Sequence, residues 1–328
     1  MTETEFLDRW RTEKPLYAAW GDFILARINE RLAAEISPTE LGYFIKVPAK
    51  PRLKAENTLI DKAFHRNKDY ADSYANITDK VGMRFVVLLT SDINKVCVVI
   101  EALKKFWILS KDRDYEAERL AKPLEFSYQS VHYIVKASTD LDHAGIIIPA
   151  GIPCEIQVRT LLQHAHSELT HDTIYKPKTT AKPEVRRTVA KSMALIEATD
   201  EFFVQAMDSL NSVVAMQNEL LRILENIYAE GVGSPASSDR SSQFVIDALA
   251  EHLPANWQAA IPEFFRAKPF IFDRVKERRV ESHFYRQPVV LLAYYLVNAM
   301  PEKTKEVWPL EATDLAPVFS DLGKKFNQ

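Results

Sequence analysis

Apolar residues recur at helical spacing over the first forty residues of the chain. Trp20, Ile24 and Ile28, for example, lie four residues apart and therefore share one face of a helix. The segment ISPTELG at 36–42 then interrupts this pattern. We therefore predict an N-terminal helical segment over residues 1–40.

Four of the segments that follow carry the pattern of β-strands. Residues 43–47 form a short apolar run, and residues 83–90 form a run rich in β-branched side chains that predicts a buried strand. Residues 127–137 and 152–160 alternate between apolar and polar side chains, which is typical of half-buried strands. Because these strands alternate with helical segments, the predicted fold class is α/β, a β-sheet flanked by helices.

The last of these predicted strands has two chemically different faces. Ile156 and Val158 point to one side, whereas Glu155, Gln157 and Arg159 point to the other. The apolar side belongs to the core. The polar side places a carboxylate, an amide and a guanidinium together on the other surface of the sheet.

The C-terminal half of the chain is predicted to be mainly helical. Helical spacing extends to residue 229, and a stretch rich in Gly, Ser and Pro at 230–243 is the predicted linker. The predicted domains are thus the N-terminal segment, a domain with trailing helices at 41–229, and a helical accessory or regulatory domain at 244–328. The last domain contains eleven Lys/Arg and eleven Asp/Glu, and this balance of charge argues against RNA binding by that domain.

Composition indicates a globular protein of a reducing compartment. The 328 residues are 47% hydrophobic and 27% charged, which fits two soluble domains. The two cysteines, Cys97 and Cys154, predict neither a disulfide framework nor a zinc knuckle. The N-terminus has no apolar targeting run, and the longest apolar run, at 288–297, is too short to span a bilayer. We expect a cytoplasmic protein without a membrane partner, its apolar run forming a core helix.

A cluster of positive charge lies between residues 46 and 68. The segment contains seven Lys/Arg and two acidic residues, and this excess of positive charge indicates a phosphate-rich ligand. The chain contains no GxxxxGK[ST] loop, so side chains must hold any phosphate. Arg52 and Lys54 share one side of an extended stretch, and Thr58 and Lys62 are four apart on the helix that follows. The alternative is a solvated basic surface without a ligand.

Two carboxylates are candidate ligands for Mg²⁺. Asp79 lies just before the strand predicted at 83–90, and Glu155 lies within the last strand. If the two strands are neighbours, these oxygens form a pair suited to Mg²⁺, with nucleotide phosphates as further ligands. The alternative is a surface ion pair between Glu155 and Arg159.

The segment after Glu155 carries a polar stripe of helical period. His164, Glu168, His171 and Tyr175 follow one another at intervals of four, three and four residues and share one face. A zinc site of the first three is one hypothesis, although no HExxH and no further ligand accompany them. The stripe otherwise faces water or lines a site.

Four motifs, in this order, resemble the synthetase domain of the RelA/SpoT family of alarmone synthetases. They are RLKAENTLIDK, DKVGMRFVV, SYQSVHYIV and EIQVRTLLQHAHSELTHDTIYK, and the resemblance spans about residues 43–176. It implies a nucleotidyltransferase-like domain with a mixed sheet. It also implies a pyrophosphokinase that moves pyrophosphate from ATP to the 3′-hydroxyl of GDP or GTP, makes (p)ppGpp and releases AMP.

The resemblance implies a role for each matching residue on the ATP side. Arg52 and Arg84 would stack on the two faces of the adenine, and Lys54, Thr58 and Lys62 would hold the phosphates. Positioning and charge neutralisation of this kind account for most of the catalysis in phosphoryl-type transfer.

It also implies a metal site and an acceptor site. Asp79 and Glu155 would bind Mg²⁺, and Glu155 would take the proton from the attacking hydroxyl. Tyr128 would stack on the acceptor base. The remaining acceptor-binding residues would be His132, Gln157, His164 and Glu168.

Departures from the family pattern lie on the acceptor side. Ser127 replaces a glycine, Leu124 a lysine and Phe126 an asparagine. They motivate an alternative, a toxin-like enzyme that pyrophosphorylates the 3′ end of tRNA and is restrained by its C-terminal domain. A catalytically silent regulatory module is the third hypothesis, and self-association into a homo-oligomer is left open.

Overall fold

The computed structural model describes residues 1–65, 72–126, 129–170, 182–233, 240–280 and 282–326. The chain divides into two compact units, Met1–Ala206 and Met207–Gln328. The boundary falls within the long helix α7, Pro183–Gly231. The predicted linker at 230–243 overlaps the end of α7 and the start of the next helix, and its central residues 234–239 lie outside the described residues.

A five-stranded mixed sheet forms the centre of the first unit. Its strands are β1 (Arg52–Leu53), β2 (Val81–Val87), β3 (Trp107–Arg113), β4 (Val131–Ala137) and β7 (Pro153–Thr160). Their spatial order is β1-β2-β7-β4-β3; β2 and β7 run parallel, and the other neighbours are antiparallel. A separate hairpin contains β5 (Leu141–His143) and β6 (Ile146–Ile148). The predicted α/β class with a mixed sheet is confirmed.

Two helices bury the apolar face of this sheet. The N-terminal helix α1, Glu3–Glu35, starts at a capping box and packs on β2 together with α4, Thr90–Ala102. Trp20 and Ile24 of α1 are fully buried in the same core as Ile156 of β7. The side of β7 that carries the polar residues is therefore left for a site.

The described part of the first unit also contains shorter helices. They are α2 (Leu41–Phe44), α3 (Glu56–Ile60), which continues as a π-helical turn (Asp61–His65), α5 (Tyr115–Ala121) and α6 (Leu161–Thr170). The strand predicted at 43–47 is wrong, because this segment begins in α2 and Val47 forms no more than an isolated bridge with Val86.

The second unit is helical throughout its described elements. Besides the end of α7 it contains α8 (Arg240–Leu249), α9 (Trp257–Ala267), α10 (Phe270–Arg278), α11 (Val290–Ala299), α12 (Pro301–Glu306) and α13 (Ala312–Asp321). Helix α11 is the predicted core helix, since its first eight residues are all buried. Among the described residues, no helix is both long enough and apolar enough to cross a membrane.

Candidate active site

A pocket of about 870 Å³ opens on the polar face of the sheet in the first unit. Ten of the twelve predicted site residues line it: Arg52, Lys54, Thr58, Lys62, Asp79, Arg84, Glu155, Gln157, His164 and Glu168. His132 contacts Glu155 beside the pocket, and Tyr128 lies outside the described residues. The fold thus gathers the residues predicted for both substrates around one cavity, while their individual roles remain predictions.

Strand register explains why residues far apart in sequence meet here. Gly82 of β2 pairs with Glu155 of β7, and Arg84 pairs with Gln157 two residues on. Paired residues on neighbouring strands point to the same face. A Cβ atom on Gly82 would lie 3.2 Å from the Glu155 carbonyl oxygen and 3.9 Å from its Oε2, so a glycine leaves room for the carboxylate.

The same register extends a polar row across four strands. His132 of β4 pairs with Gln157, and Arg113 of β3 pairs with His132. Arg113 reaches this row through a β-bulge, because Lys111 pairs with Tyr133 and Asp112 is the extra residue. Tyr133 is buried on the core face, so the bulge turns Arg113 towards the pocket, which it lines.

Two lysines hold Asp79 at one end of the pocket. Lys54 Nζ donates to Asp79 Oδ2, and Lys62 Nζ lies 2.9 Å from Asp79 Oδ1. Burial raises the pKa of Asp79, but the two ammonium groups outweigh it, so the pKa lies below its usual value. Burial lowers the pKa of Lys54, which the charge of Asp79 offsets in part. Asp79 is therefore ionised and already carries two cations that phosphates can attract.

Glu155 is held by one neighbour on its own strand, β7, and by one on the adjacent strand, β4. His132 Nδ1 lies 3.3 Å from Glu155 Oε1, and Gln157 Nε2 donates to Oε2 at 2.8 Å. Burial raises the pKa of Glu155, but the hydrogen bond and charge of His132 outweigh it, and the pKa lies below its usual value. The side chain of Arg159 donates to Gln157 and completes this arrangement. The result is an ionised carboxylate of fixed orientation.

Glu168 contacts a residue predicted for the other substrate. Its Oε1 accepts from Arg84 Nη1 at 2.7 Å and lies 3.9 Å from His164 Nδ1. Burial, together with the charge of Arg159, lowers the pKa of His164. Glu168 was predicted to bind the acceptor, yet its shortest contact is to the arginine predicted to stack on adenine. It therefore joins the two halves of the pocket.

The donor set suits Mg²⁺ that is delivered with a nucleotide. Among the described residues, no three His, Cys, Asp or Glu side chains form a group that could hold a metal alone. Asp79 and Glu155 face the same cavity, and the charge of Asp79 opposes ionisation of Glu155. Mg²⁺ is commonly bound by one or two carboxylates together with water and substrate phosphates. The zinc hypothesis involves His171, which lies outside the described residues.

Four charged or hydroxyl-bearing residues of the pocket lining were not predicted as site residues. They are Lys50, Arg113, Arg159 and Ser167. The strand pattern placed Arg159 on the same face as Glu155 but assigned it no binding role. His166 faces away from the pocket: its Nε2 lies 3.1 Å from Ser192 Oγ, and it anchors α6 to α7.

One region of the chain matches a known protein family. Residues 51–180 match the family model described as "Region found in RelA / SpoT proteins". The match covers less than half of the chain, and it confirms the resemblance inferred from the four motifs. The matched segment carries every predicted site residue.

Several solved structures are similar to this chain. The small alarmone synthetase 1 of Bacillus subtilis bound to its product pppGpp shares 18% identity, with a TM-score of 0.49, over 62% of this chain and 99% of that one. The same enzyme bound to AMPCPP shares 16% identity, with a TM-score of 0.46, over 62% of this chain and 98% of that one. A GTP pyrophosphokinase family protein of Streptococcus pneumoniae shares 21% identity, with a TM-score of 0.48, over 65% of this chain and 97% of that one. No role for any residue follows from likenesses this distant, and no curated protein sequence matches the chain.

Proposed function

We propose that this protein is an ATP-dependent pyrophosphokinase that makes (p)ppGpp from GDP or GTP. The observation that carries the proposal is the pocket itself, in which Arg52, Lys54 and Lys62 face the carboxylates Asp79 and Glu155. A pocket with this charge pattern suits a polyphosphate and a hydroxyl that must lose a proton. The RelA/SpoT region at 51–180 supports the same reaction.

The ATP half of the pocket neutralises the triphosphate. Lys54 and Lys62, now bound to Asp79, turn to the phosphate oxygens when ATP enters, with Thr58 as a further hydrogen-bond donor. Arg52 and Arg84 stack on the adenine. This exchange of partners makes binding of the phosphates release the Asp79 carboxylate.

The carboxylates would hold Mg²⁺ beside those phosphates. A magnesium ion held by Asp79 and Glu155 would supply positive charge to stabilise the charge that develops on the phosphate oxygens. Asp79 becomes available for this role once its lysines contact the phosphates. The low pKa of both carboxyl groups keeps them ionised at neutral pH.

Glu155 accepts the proton in the transfer step. The 3′-oxygen of the acceptor bonds to the β-phosphorus of ATP, and the bond from that phosphorus to the oxygen bridging the α-phosphorus breaks. AMP leaves with the bridging oxygen, and the hydroxyl proton passes to a carboxylate oxygen of Glu155. His132 and Gln157 hold that carboxylate in place.

The 3′ end of tRNA is the second candidate acceptor. Leu124 and Phe126, which stand where related synthetases have a lysine and an asparagine, are 91% and 42% exposed. This surface offers apolar contacts where a free guanine nucleotide would find polar ones. Restraint of such a toxic activity by the C-terminal unit belongs to this alternative.

Transfer of labelled phosphate tests the proposal directly. The full-length protein is incubated with Mg²⁺, ATP labelled at its γ-phosphate, and GDP, GTP or deacylated tRNA in turn. Label on GDP or GTP supports the proposal, and label on tRNA alone replaces it with the second candidate. Transfer to none of them leaves the third hypothesis, a silent module. Glu155→Gln, which keeps the size of the side chain, is the matched inactive control.

A further inference from the structure

A chain of hydrogen bonds joins α7 to segments that border the pocket. Thr160 Oγ1 donates to Asp200 Oδ2 at 2.8 Å and accepts from the backbone N–H of Gln163 at 3.1 Å. Gln163 Oε1 accepts from the backbone N–H of Thr160 at 3.0 Å, and its Nε2 donates to Gln129 Oε1 at 3.3 Å. Gln129 Nε2 donates to Glu197 Oε2 at 2.7 Å. We call these five residues the α7 brace.

Four of the five residues of the α7 brace are buried, which is unfavourable for polar groups unless they are paired, and the fifth, Glu197, is half-buried. Thr160 is 0%, Gln163 1%, Asp200 2% and Gln129 7% exposed. Within the described part of the chain, Asp200 Oδ1 has no hydrogen-bond partner. A buried carboxylate that is only half satisfied costs stability, so its presence calls for an explanation beyond packing.

The α7 brace holds three segments next to residues of the acceptor side. Gln129 follows Tyr128, Gln163 precedes His164, and Thr160 follows Arg159, which donates to Gln157. The residues predicted to bind ATP phosphates lie elsewhere, directly after β1, on α3 and on the π-helical turn that continues α3. The brace therefore connects to one half of the pocket.

We propose that Glu197 and Asp200 are positioning residues that fix the acceptor half of the pocket. Glu197 holds Gln129, and Asp200 holds Thr160 at the start of α6. The proposal rests on the proposed function, since it assigns that half of the pocket to the acceptor. Both carboxylates lie outside the matched region 51–180, so a helix beyond that region sets the geometry within it.

Kinetics of four variants test the proposal. Glu197→Ala and Asp200→Ala remove the accepting oxygens, and we expect each to raise the KM for the acceptor about tenfold while the KM for ATP stays within about twofold of the wild-type value. Glu197→Gln and Asp200→Asn keep an accepting oxygen and should restore the acceptor KM. A merely structural role would instead lower kcat or raise the KM for both substrates alike, without rescue by the amides.

Hydrogen exchange of the same variants separates this proposal from the proposed function. In the alanine variants, exchange should increase in peptides carrying Gln129 or Gln163 and stay unchanged in the peptide carrying Lys54. Glu201→Ala is the control for the ion pair with Arg119, because Arg119 Nη1 lies 3.3 Å from Glu201 and 3.1 Å from Glu197, and Glu201 is not one of the five brace residues. Unchanged exchange at Gln129 and Gln163 overturns the brace even in an active enzyme. An inactive wild-type protein overturns the proposed function, and exchange still decides on the brace.

Discussion

The substitution Asp200→Asn is expected to make the free energy of unfolding of the protein less sensitive to pH. Burial raises the pKa of Asp200 to about 6, from an ordinary value of 3.8, although the hydrogen bond from Thr160 acts in the opposite direction. An acid whose pKa is raised on folding binds its proton more tightly in the folded state. Ionisation of Asp200 therefore lowers the free energy of unfolding as the pH rises from 3.8 to about 6, and the full loss is present above pH 6.

The size of this effect follows from the two pKa values. One pKa unit corresponds to about 1.4 kcal/mol, so ionised Asp200 costs about 3 kcal/mol at full effect. Between pH 4.5 and pH 7.5 the cost grows by about 2 kcal/mol, because part of it is already present at the lower pH. An asparagine carries no charge at either pH and still accepts from Thr160.

Urea unfolding of the full-length protein at the two pH values measures this difference. The free energy of unfolding of Asp200→Asn minus that of the wild type should increase by about 2 kcal/mol from pH 4.5 to pH 7.5. Any constant effect of the amide group cancels in this comparison. Asp208→Asn, which removes an exposed acid from the same helix, reports the effect of losing one charge. An increase no larger than that of the control would refute the burial argument.

Three further substitutions test the pocket. Gly82→Ala should lower kcat about tenfold with little change in the melting temperature, because a methyl group 3.2 Å from the Glu155 carbonyl oxygen displaces that strand; an unchanged kcat would show that Glu155 tolerates the shift. Arg113→Ala should raise the KM for the acceptor about tenfold and leave the KM for ATP unchanged, as measured by steady-state kinetics with Arg113→Lys as the control. A raised KM for ATP with an unchanged KM for the acceptor would contradict this prediction. Glu168→Gln should raise the KM for ATP by no more than about fivefold, since its pair with Arg84 is exposed to solvent; an effect on the acceptor alone would contradict the contact.

The strand pattern predicted the polar face of the pocket because the alternation of β7 is local. Glu155 and Gln157 follow from a period of two, and the buried Ile156 and Val158 fix which side is the core. The strand predicted at 43–47 failed for the opposite reason: five residues are too few to distinguish a strand from one helical turn.

Contacts made at long range could not be predicted from the pattern. Asp200 meets Thr160 across forty residues, and neither residue lies in a periodic polar stripe that points to the other. The pairing of Arg84 with Glu168 spans eighty-four residues and depends on how α6 is placed over β2. Such contacts are set by the packing of elements, which a single sequence does not specify.

The bulge at Asp112 makes the charge of the pocket depend on how β3 pairs with β4. In a β3 without the bulge, Asp112 would pair with His132, and Arg113 would point to the side of Lys111 and Tyr133. The pocket would lose a cation although none of its lining residues had been substituted. A shift in the register of this edge strand therefore changes the charge of the pocket while every residue of the four motifs stays in place.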